Sequence, residues 1–237
     1  MEGKRAILMI DIEKTNDQFQ FKLTQQAKDV LLSVRDKEMI VVSVAGPQRT
    51  GKSFLCNMLV NSMDSFELGN STLPQTKGIY MWPEPLIVND QAILILDTEG
   101  LNSIFRDKHI DGYIMGIVLI LSSVFIYNNF GVINEKELEE LAAAIELTTW
   151  INEKEIVPYF LWCLRDFVLD SENDENDQDE YLERILNQST GLDNSKRQIR
   201  QRIKEYFRDR GCMKFVRPLV SEKKIQQMHK LQLSDLR

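Results

Sequence analysis

The sequence has no basic excess. Its 29 lysines and arginines are outnumbered by 36 aspartates and glutamates, giving a net charge of −7, whereas a nucleic-acid protein needs a basic binding face. Cysteine is scarce. Cys56, Cys163 and Cys212 sit far apart inside apolar segments. They form neither a disulfide framework nor metal-ligand spacing, so buried thiols in a reducing cytosol are expected. No apolar run is long enough to span a bilayer. The longest, Tyr113 to Tyr127, holds Gly116, Ser122 and Ser123 and reads as a core helix passing into a core strand. Ala6 to Ile10 is too short for a secretory segment and meets Asp11 at once. Glu2 stands where a myristoylated chain has glycine, and the closing Asp-Leu-Arg carries no prenyl signal, so no lipid anchor is expected. There is no internal repeat and no clear interdomain linker. The 237 residues, 43% hydrophobic and 27% charged, suit one large soluble α/β domain.

What is present is a phosphate-cradling pattern. Gly46-Pro47-Gln48-Arg49-Thr50-Gly51-Lys52-Ser53 fits G-x-x-x-x-G-K-[ST]. The β-branched run Met39 to Val44 before it reads as a buried parallel strand. Phe54, Leu55, Met58 and Leu59 after it fall at helical spacing. Strand, loop and helix together aim backbone N–H groups and the positive end of a helix at one anion. Lys52 would reach the outer phosphates, and Ser53 would offer its hydroxyl to Mg²⁺.

The rest of the chain predicts an α/β alternation. Arg5 to Asp11 is a first strand, Lys14 to Gln18 polar turn residues, and Ala27, Val30, Leu31 and Val34 mark a helix. Asp64 to Gly78 is polar, without helical or strand period, and long enough to suggest a functional loop. Ile79 to Val88 is a strand broken by Pro83 and Pro85, near an edge. Ala92 to Leu96 is a second buried parallel strand ending in Asp97-Thr98-Glu99-Gly100. Helix and strand follow over Ile114 to Tyr127, a helix from Glu135 to about Asn152, and a strand from Val157 to Leu164 closing on Arg165-Asp166. Asp170 to Glu180 reads as a solvated acidic insert. Two helices around Tyr181–Gln188 and Lys196–Phe207, a strand Met213 to Val216 and an amphipathic helix Glu222 to Leu236 complete the chain. The expected class is a three-layer α/β nucleotide-binding domain with a mostly parallel central sheet flanked by helices.

Several residues then point at one nucleotide. Asp97, at the carboxyl end of a buried strand, is expected to hold a Mg²⁺ water, and Gly100 to let backbone approach the γ-phosphate. Asp166 is the candidate base reader: a carboxylate accepts from the two adjacent donors that guanine offers and adenine does not. Thr76, beside Lys77 in the long loop, could complete the Mg²⁺ shell. Arg49 is either a solvated side chain or an arginine finger supplied in cis.

These residues resemble the guanylate-binding proteins, dynamin-related large GTPases. The resemblance rests on Arg49-Thr50-Gly51-Lys52-Ser53, Leu68-Gly69, Thr76-Lys77-Gly78-Ile79-Tyr80-Met81-Trp82, Asp97-Thr98-Glu99-Gly100-Leu101, Leu121-Ser122-Ser123 and Leu164-Arg165-Asp166-Phe167. Tyr127-Asn128, Asp179-Glu180-Tyr181-Leu182 and Arg217-Pro218 also look like the family. It implies a single GTPase domain over residues 1–237, without the family's helical stalk. It implies GTP as substrate, hydrolysed to GDP and in some members onward to GMP, with Mg²⁺ bound through Ser53, Thr76 and Asp97. The nucleotide would be held by Gln48, Arg49, Thr50, Gly51, Lys52, Ser53, Phe54, Thr76, Asp97, Gly100, Leu101, Arg165 and Asp166. Arg49 becomes an internal finger, brought in when two such domains form a homodimer face to face. Lys52 stabilises charge, and Glu99 belongs to the network that positions the attacking water. Where familiar members carry a serine two residues before the switch threonine, this chain has Pro74. Proline brings neither hydroxyl nor N–H, so water positioning passes to Gln75, to Glu99, or fails. The leading expectation is a cytoplasmic Mg²⁺-dependent GTPase with no nucleic-acid partner. The alternative is a GTP-dependent interaction switch with little hydrolysis. An ATP-using kinase or ATPase is a third reading, which leaves the Leu-Arg-Asp and Thr-Lys-Gly blocks unexplained.

Overall fold

The computed structural model describes residues 4–15, 18–68, 78–98, 108–151, 157–167, 178–216 and 218–219. They fall into two compact units, one within Met1–Arg106 and Arg217–Arg237, the other within Asp107–Val216.

The first unit is built on an ordered set of strands. β1 (Ile7–Thr15) and β2 (Gln18–Leu23) form an antiparallel hairpin, with Thr15 opposite Gln18 and Ile10 opposite Leu23. Lys14, Thr15 and Gln18, expected as turn residues, are therefore strand residues. The signal for β2 was Phe19, Phe21 and Leu23 alternating with Gln18, Gln20 and Lys22, a period of two. Thr24 then caps α1 (Gln25–Ser33): its hydroxyl accepts from the Ala27 N–H at 3.3 Å and donates to the Leu8 carbonyl at 2.6 Å.

β3 (Glu38–Ala45) pairs in parallel with β6 (Gln91–Thr98) over seven residues, from Glu38 opposite Gln91 to Val44 opposite Asp97. Between them in sequence come α2 (Lys52–Leu59), β4 (Gly78–Met81) and β5 (Leu86–Val88). The expected proline break is real, for β4 and β5 are two short strands pairing antiparallel to β6. Of these two strands, only β5 is at an edge among the described residues. β4 lies between β1 and β6, which the prolines, both outside it, do not oppose. At Gly78, φ is +139° and an added Cβ would lie 2.2 Å from the Ile10 carbonyl oxygen. The β1–β4 pairing has an irregularity between Leu8 and Ile10. Only glycine fits that approach.

The second unit stacks helices on a parallel sheet. β7 (Val124–Phe130), β8 (Tyr159–Arg165) and β9 (Arg210–Phe215) pair in parallel in that order. α3 (Lys108–Leu121), α4 (Glu135–Ile151), α5 (Gln178–Asn187) and α6 (Asn194–Tyr206) complete it. Its core is aromatic. Phe160 stacks on Phe207 with ring centroids 4.4 Å apart, and Trp162 sits edge-on to Phe160 and Tyr127 at 5.6 and 5.1 Å. All four are essentially inaccessible. α3 approaches α4 closely because Gly112 and Gly116 face it; an added Cβ at Gly112 would touch Leu147 at 3.3 Å.

Buried Arg200 of α6 ties three helices together. Its guanidinium pairs with both carboxylate oxygens of Glu135 and donates to the Ile185 carbonyl at 3.0 Å. The acidic insert expected through Glu180 ends earlier than that. Gln178, Asp179 and Glu180 are the first turn of α5, and residues 168–177 lie outside those described. The last strand starts at Arg210 rather than Met213, and the helix expected over 222–236 also lies outside the described residues. Among the described residues no helix is long and apolar enough to cross a membrane.

Candidate functional site

In the first unit β3 ends at Ala45 and the chain turns into the glycine loop. Gly46 is buried with φ +139°, and Gly51 occupies the left-handed region at φ +87° as the residue that opens α2. The N-cap residue of that helix, Gly51, brings no side chain to cap it. Its first backbone N–H groups are the anion-seeking kind. The Lys52 side chain is buried and folds back on the loop, its ammonium donating to the Pro47 carbonyl at 2.8 Å. The Thr50 hydroxyl donates to the same carbonyl at 2.9 Å.

Ser53, one residue on, donates its hydroxyl proton to Asp97 Oδ2 at 2.6 Å. Asp97 is 4% exposed, and its Oδ1 has no hydrogen-bond partner among the described residues. Burial pushes its carboxyl up to about 6, against the lowering pull of the Ser53 bond and the Lys52 charge. Beneath it Cys56 is fully buried, its thiol raised by burial and by the Asp97 charge. An unpartnered carboxylate oxygen beside a hydroxyl is a hard, oxygen-only donor set. That suits Mg²⁺, which takes one or two protein oxygens and draws the rest from water and ligand phosphate. Among the described residues no group of three or more His, Cys, Asp or Glu could hold a metal ion, in keeping with so sparse a set.

Arg49 is exposed and its φ is +65°. The other non-glycine residues at positive φ are Asn61, Asn89, Asp90 and Asp166, types that tolerate that region. Arg49 is the exception among the described residues, held where an arginine costs energy.

Sequence reasoning missed Asn57, which lies a helical turn beyond Ser53. It is fully buried. Its amide donates to the Met63 and Phe66 carbonyls at 2.9 and 3.0 Å, and its oxygen accepts from the Phe66 N–H at 2.6 Å. The phosphate-loop helix thus holds the start of the expected functional loop. Gln75, Thr76, Glu99, Gly100 and Leu101, singled out from the sequence, lie outside the described residues.

In the second unit Arg165 closes β8 and Asp166 follows in the left-handed region at φ +51°. The Asp166 N–H donates to the Phe215 carbonyl at 3.3 Å. Burial lowers the Arg165 guanidinium, and the neighbouring Asp166 carboxylate opposes that. Phe167 meets Tyr181 edge-on at 5.0 Å, and the Lys214 ammonium lies 4.6 Å from its ring centre. The block that sequence reading assigned to the base is thus wedged between α5 and β9.

Strand, left-handed glycine loop and helix, with a serine–aspartate pair at its mouth, define a phosphate-loop α/β protein. The chain belongs to the guanylate-binding protein family: the family description "Guanylate-binding protein, N-terminal domain" matches residues 18–237. It is 35% identical to guanylate-binding protein 1 of Mus musculus over 226 residues, which covers 86% of this chain and 38% of that protein. It is 36% identical to guanylate-binding protein 1 of Homo sapiens over 230 residues, covering 87% and 39%. Guanylate-binding protein 7 of Homo sapiens is 35% identical over 217 residues, covering 81% and 34%. The chain therefore spans less than half the length of these relatives. Among solved structures it is similar to Toc33 from Arabidopsis thaliana in complex with GDP and Mg²⁺, with a TM-score of 0.45 and 18% identity, covering 80% of this chain and 77% of that one.

Proposed function

We propose that this chain is a Mg²⁺-dependent GTPase domain that hydrolyses GTP to GDP, and that turnover depends on a nucleotide-bound homodimer. The observation that carries the reading is the Ser53–Asp97 hydrogen bond at 2.6 Å at the start of the glycine-loop helix, with Asp97 Oδ1 lacking a hydrogen-bond partner among the described residues. It is the donor arrangement a metal–triphosphate needs, in a chain of a guanylate-binding family.

Lys52 leaves the Pro47 carbonyl and takes up phosphate oxygens as a point charge. The amides around Gly51 hold the phosphate chain. Ser53 and Thr76 would hold Mg²⁺, and Asp97 would accept from its water. The ion, when bound, neutralises charge on the transferred phosphoryl group. Arg165 and Asp166 read guanine, whose adjacent donors satisfy a carboxylate that adenine would leave unpaired. Arg49, held at positive φ on an exposed loop, is the charge that enters when two domains meet. Gln75 and Glu99 orient the attacking water.

The test is GTP turnover with Mg²⁺ across a protein dilution series. Specific activity rising with concentration is the expected result, and activity independent of concentration would remove the dimer. Pro74 supports one other reading, a GTP-dependent switch with slow hydrolysis, because proline cannot orient a water. Pro74→Ser should then raise kcat. No rise would clear Pro74.

A further inference from the structure

We infer that Glu137 is a positioning residue for base recognition, the post against which the turn carrying Arg165 and Asp166 is braced. The inference rests on the guanine-reading role proposed for Asp166.

Glu137, in the first turn of α4, is 6% exposed. Its Oε2 accepts from the Asn129 side-chain amide at 2.8 Å and from the Asn134 N–H at 3.1 Å. Asn134 returns a bond, its side-chain oxygen accepting from the Glu137 N–H at 3.2 Å. That is a reciprocal cap at the start of α4. Asn129, the last buried residue of β7, also donates to the Val132 carbonyl at 3.1 Å. One carboxylate thus fixes both ends of the four-residue loop between β7 and α4.

That loop reaches the base-reading block once directly and once through Tyr181. The Gly131 N–H donates to the Arg165 carbonyl at 2.7 Å, and the Ile133 N–H donates to the Tyr181 hydroxyl at 3.2 Å. Tyr181 is the ring against which Phe167 rests. Arg165 and Phe167, on either side of Asp166, are therefore both referred to a loop that Glu137 holds still. A carboxylate reading two donors tolerates little displacement, since a misplacement of about 1 Å can cost on the order of 10²-fold. A stiff support is what such a reader needs. Titration agrees: burial pushes the Glu137 carboxyl up to about 7, with Glu140 adding to the rise and the Asn134 bond and Lys136 opposing it. Tyr127 of β7 and Tyr181 of α5 both feel its charge. A buried carboxylate at such cost has a structural task to perform.

The experiment compares GTP and ATP binding and turnover, with Mg²⁺, in wild type, Glu137→Ala, Glu137→Gln and Asp166→Asn, with folding checked by thermal melting. Glu137→Ala should raise KM for GTP about tenfold, narrow the GTP-over-ATP preference by a similar factor, and change kcat at saturation much less. Glu137→Gln, which keeps an acceptor for Asn129 and Asn134, should restore the preference. A destabilised fold without a specific role would lower activity toward both nucleotides together and leave their ratio alone. Preference lost in Asp166→Asn but kept in folded Glu137→Ala would overturn the inference by itself. Preference kept in Asp166→Asn would overturn the base-reader assignment, and the inference with it.

Discussion

Asp179 Oδ1 accepts a hydrogen bond from the Cys212 N–H at 2.6 Å, and through it a helix closes the open side of a strand. Among the described residues β9 ends the parallel ladder of the second unit, a position in which outward N–H groups can pair with another chain. Gln178, beside Asp179, does the same for the Lys214 N–H at 2.7 Å. Two side chains of the α5 first turn imitate the acceptors of a missing strand. Gly211 leaves the room, since an added Cβ there would lie 3.1 Å from Asp179 Oδ1.

Asp179→Ala should therefore cost about 1 kcal/mol and speed amide exchange at Cys212. It should also raise concentration-dependent aggregation. Asp179→Asn keeps the acceptor and should behave like wild type in all three assays. Unchanged exchange at Cys212 in the alanine variant would show that the contact does not seal the edge.

Arg49 supports a two-sided prediction. Arg49→Ala should lower kcat by about 10³ or more while GTP affinity changes little. Arg49→Gly should lose the same turnover yet gain about 1 kcal/mol in denaturant unfolding, because φ +65° no longer carries a Cβ. Equal turnover in either variant would take the finger out of the mechanism.

Asp97 ties stability to pH. Its folded value of about 6 lies above the ordinary 3.8, so the native state binds the extra proton. The stability this contributes is complete below about pH 4 and is lost as pH rises through about 6, up to ~3 kcal/mol. Asp97→Asn should flatten that slope in metal-free urea melts between pH 4.5 and 7.5. It should also weaken the stabilisation that Mg²⁺ and GTP give wild type. A slope as steep as that of wild type would place the titration elsewhere.

Gly78→Ala asks the Ile10 carbonyl to yield to a methyl group 2.2 Å away at positive φ. The loss expected is about 2 kcal/mol or more, read as a lower denaturation midpoint. Little or no loss would mean that β1 can slide at its irregularity.

Where one physical signal dominated, the sequence was readable. Met39–Val44 and Ala92–Leu96 are β-branched runs without polar interruption, and they form the β3–β6 parallel pair. Ser53 and Asp97 were each expected at the phosphates, and they meet. β2 is hard to read in the sequence because its alternating phenylalanines follow a run of polar residues. The interior place of β4 was hidden because prolines weigh on their own strand, and both lie beyond Met81. Asn134 and Glu137 carry a readable capping spacing, yet spacing could not reveal that Asn129 and Tyr181 join them. Asn57 left no local signal: its partners at Met63 and Phe66 are backbone atoms, and any sequence supplies those. Charge composition misled at Asp179, where one carboxylate in an acidic stretch is structural.

Asn57 and Ser53 stand on the same side of α2, four residues apart. A short helix moves as a stiff lever. Asn57 carries the far end of that lever, gripping Phe66 through two hydrogen bonds and Met63 through a third, all sealed from water. If a nucleotide binds at Ser53 as proposed, the chain leaving residue 66 hangs from the same helix, and slackening the tie at Asn57 would let either end shift without the other.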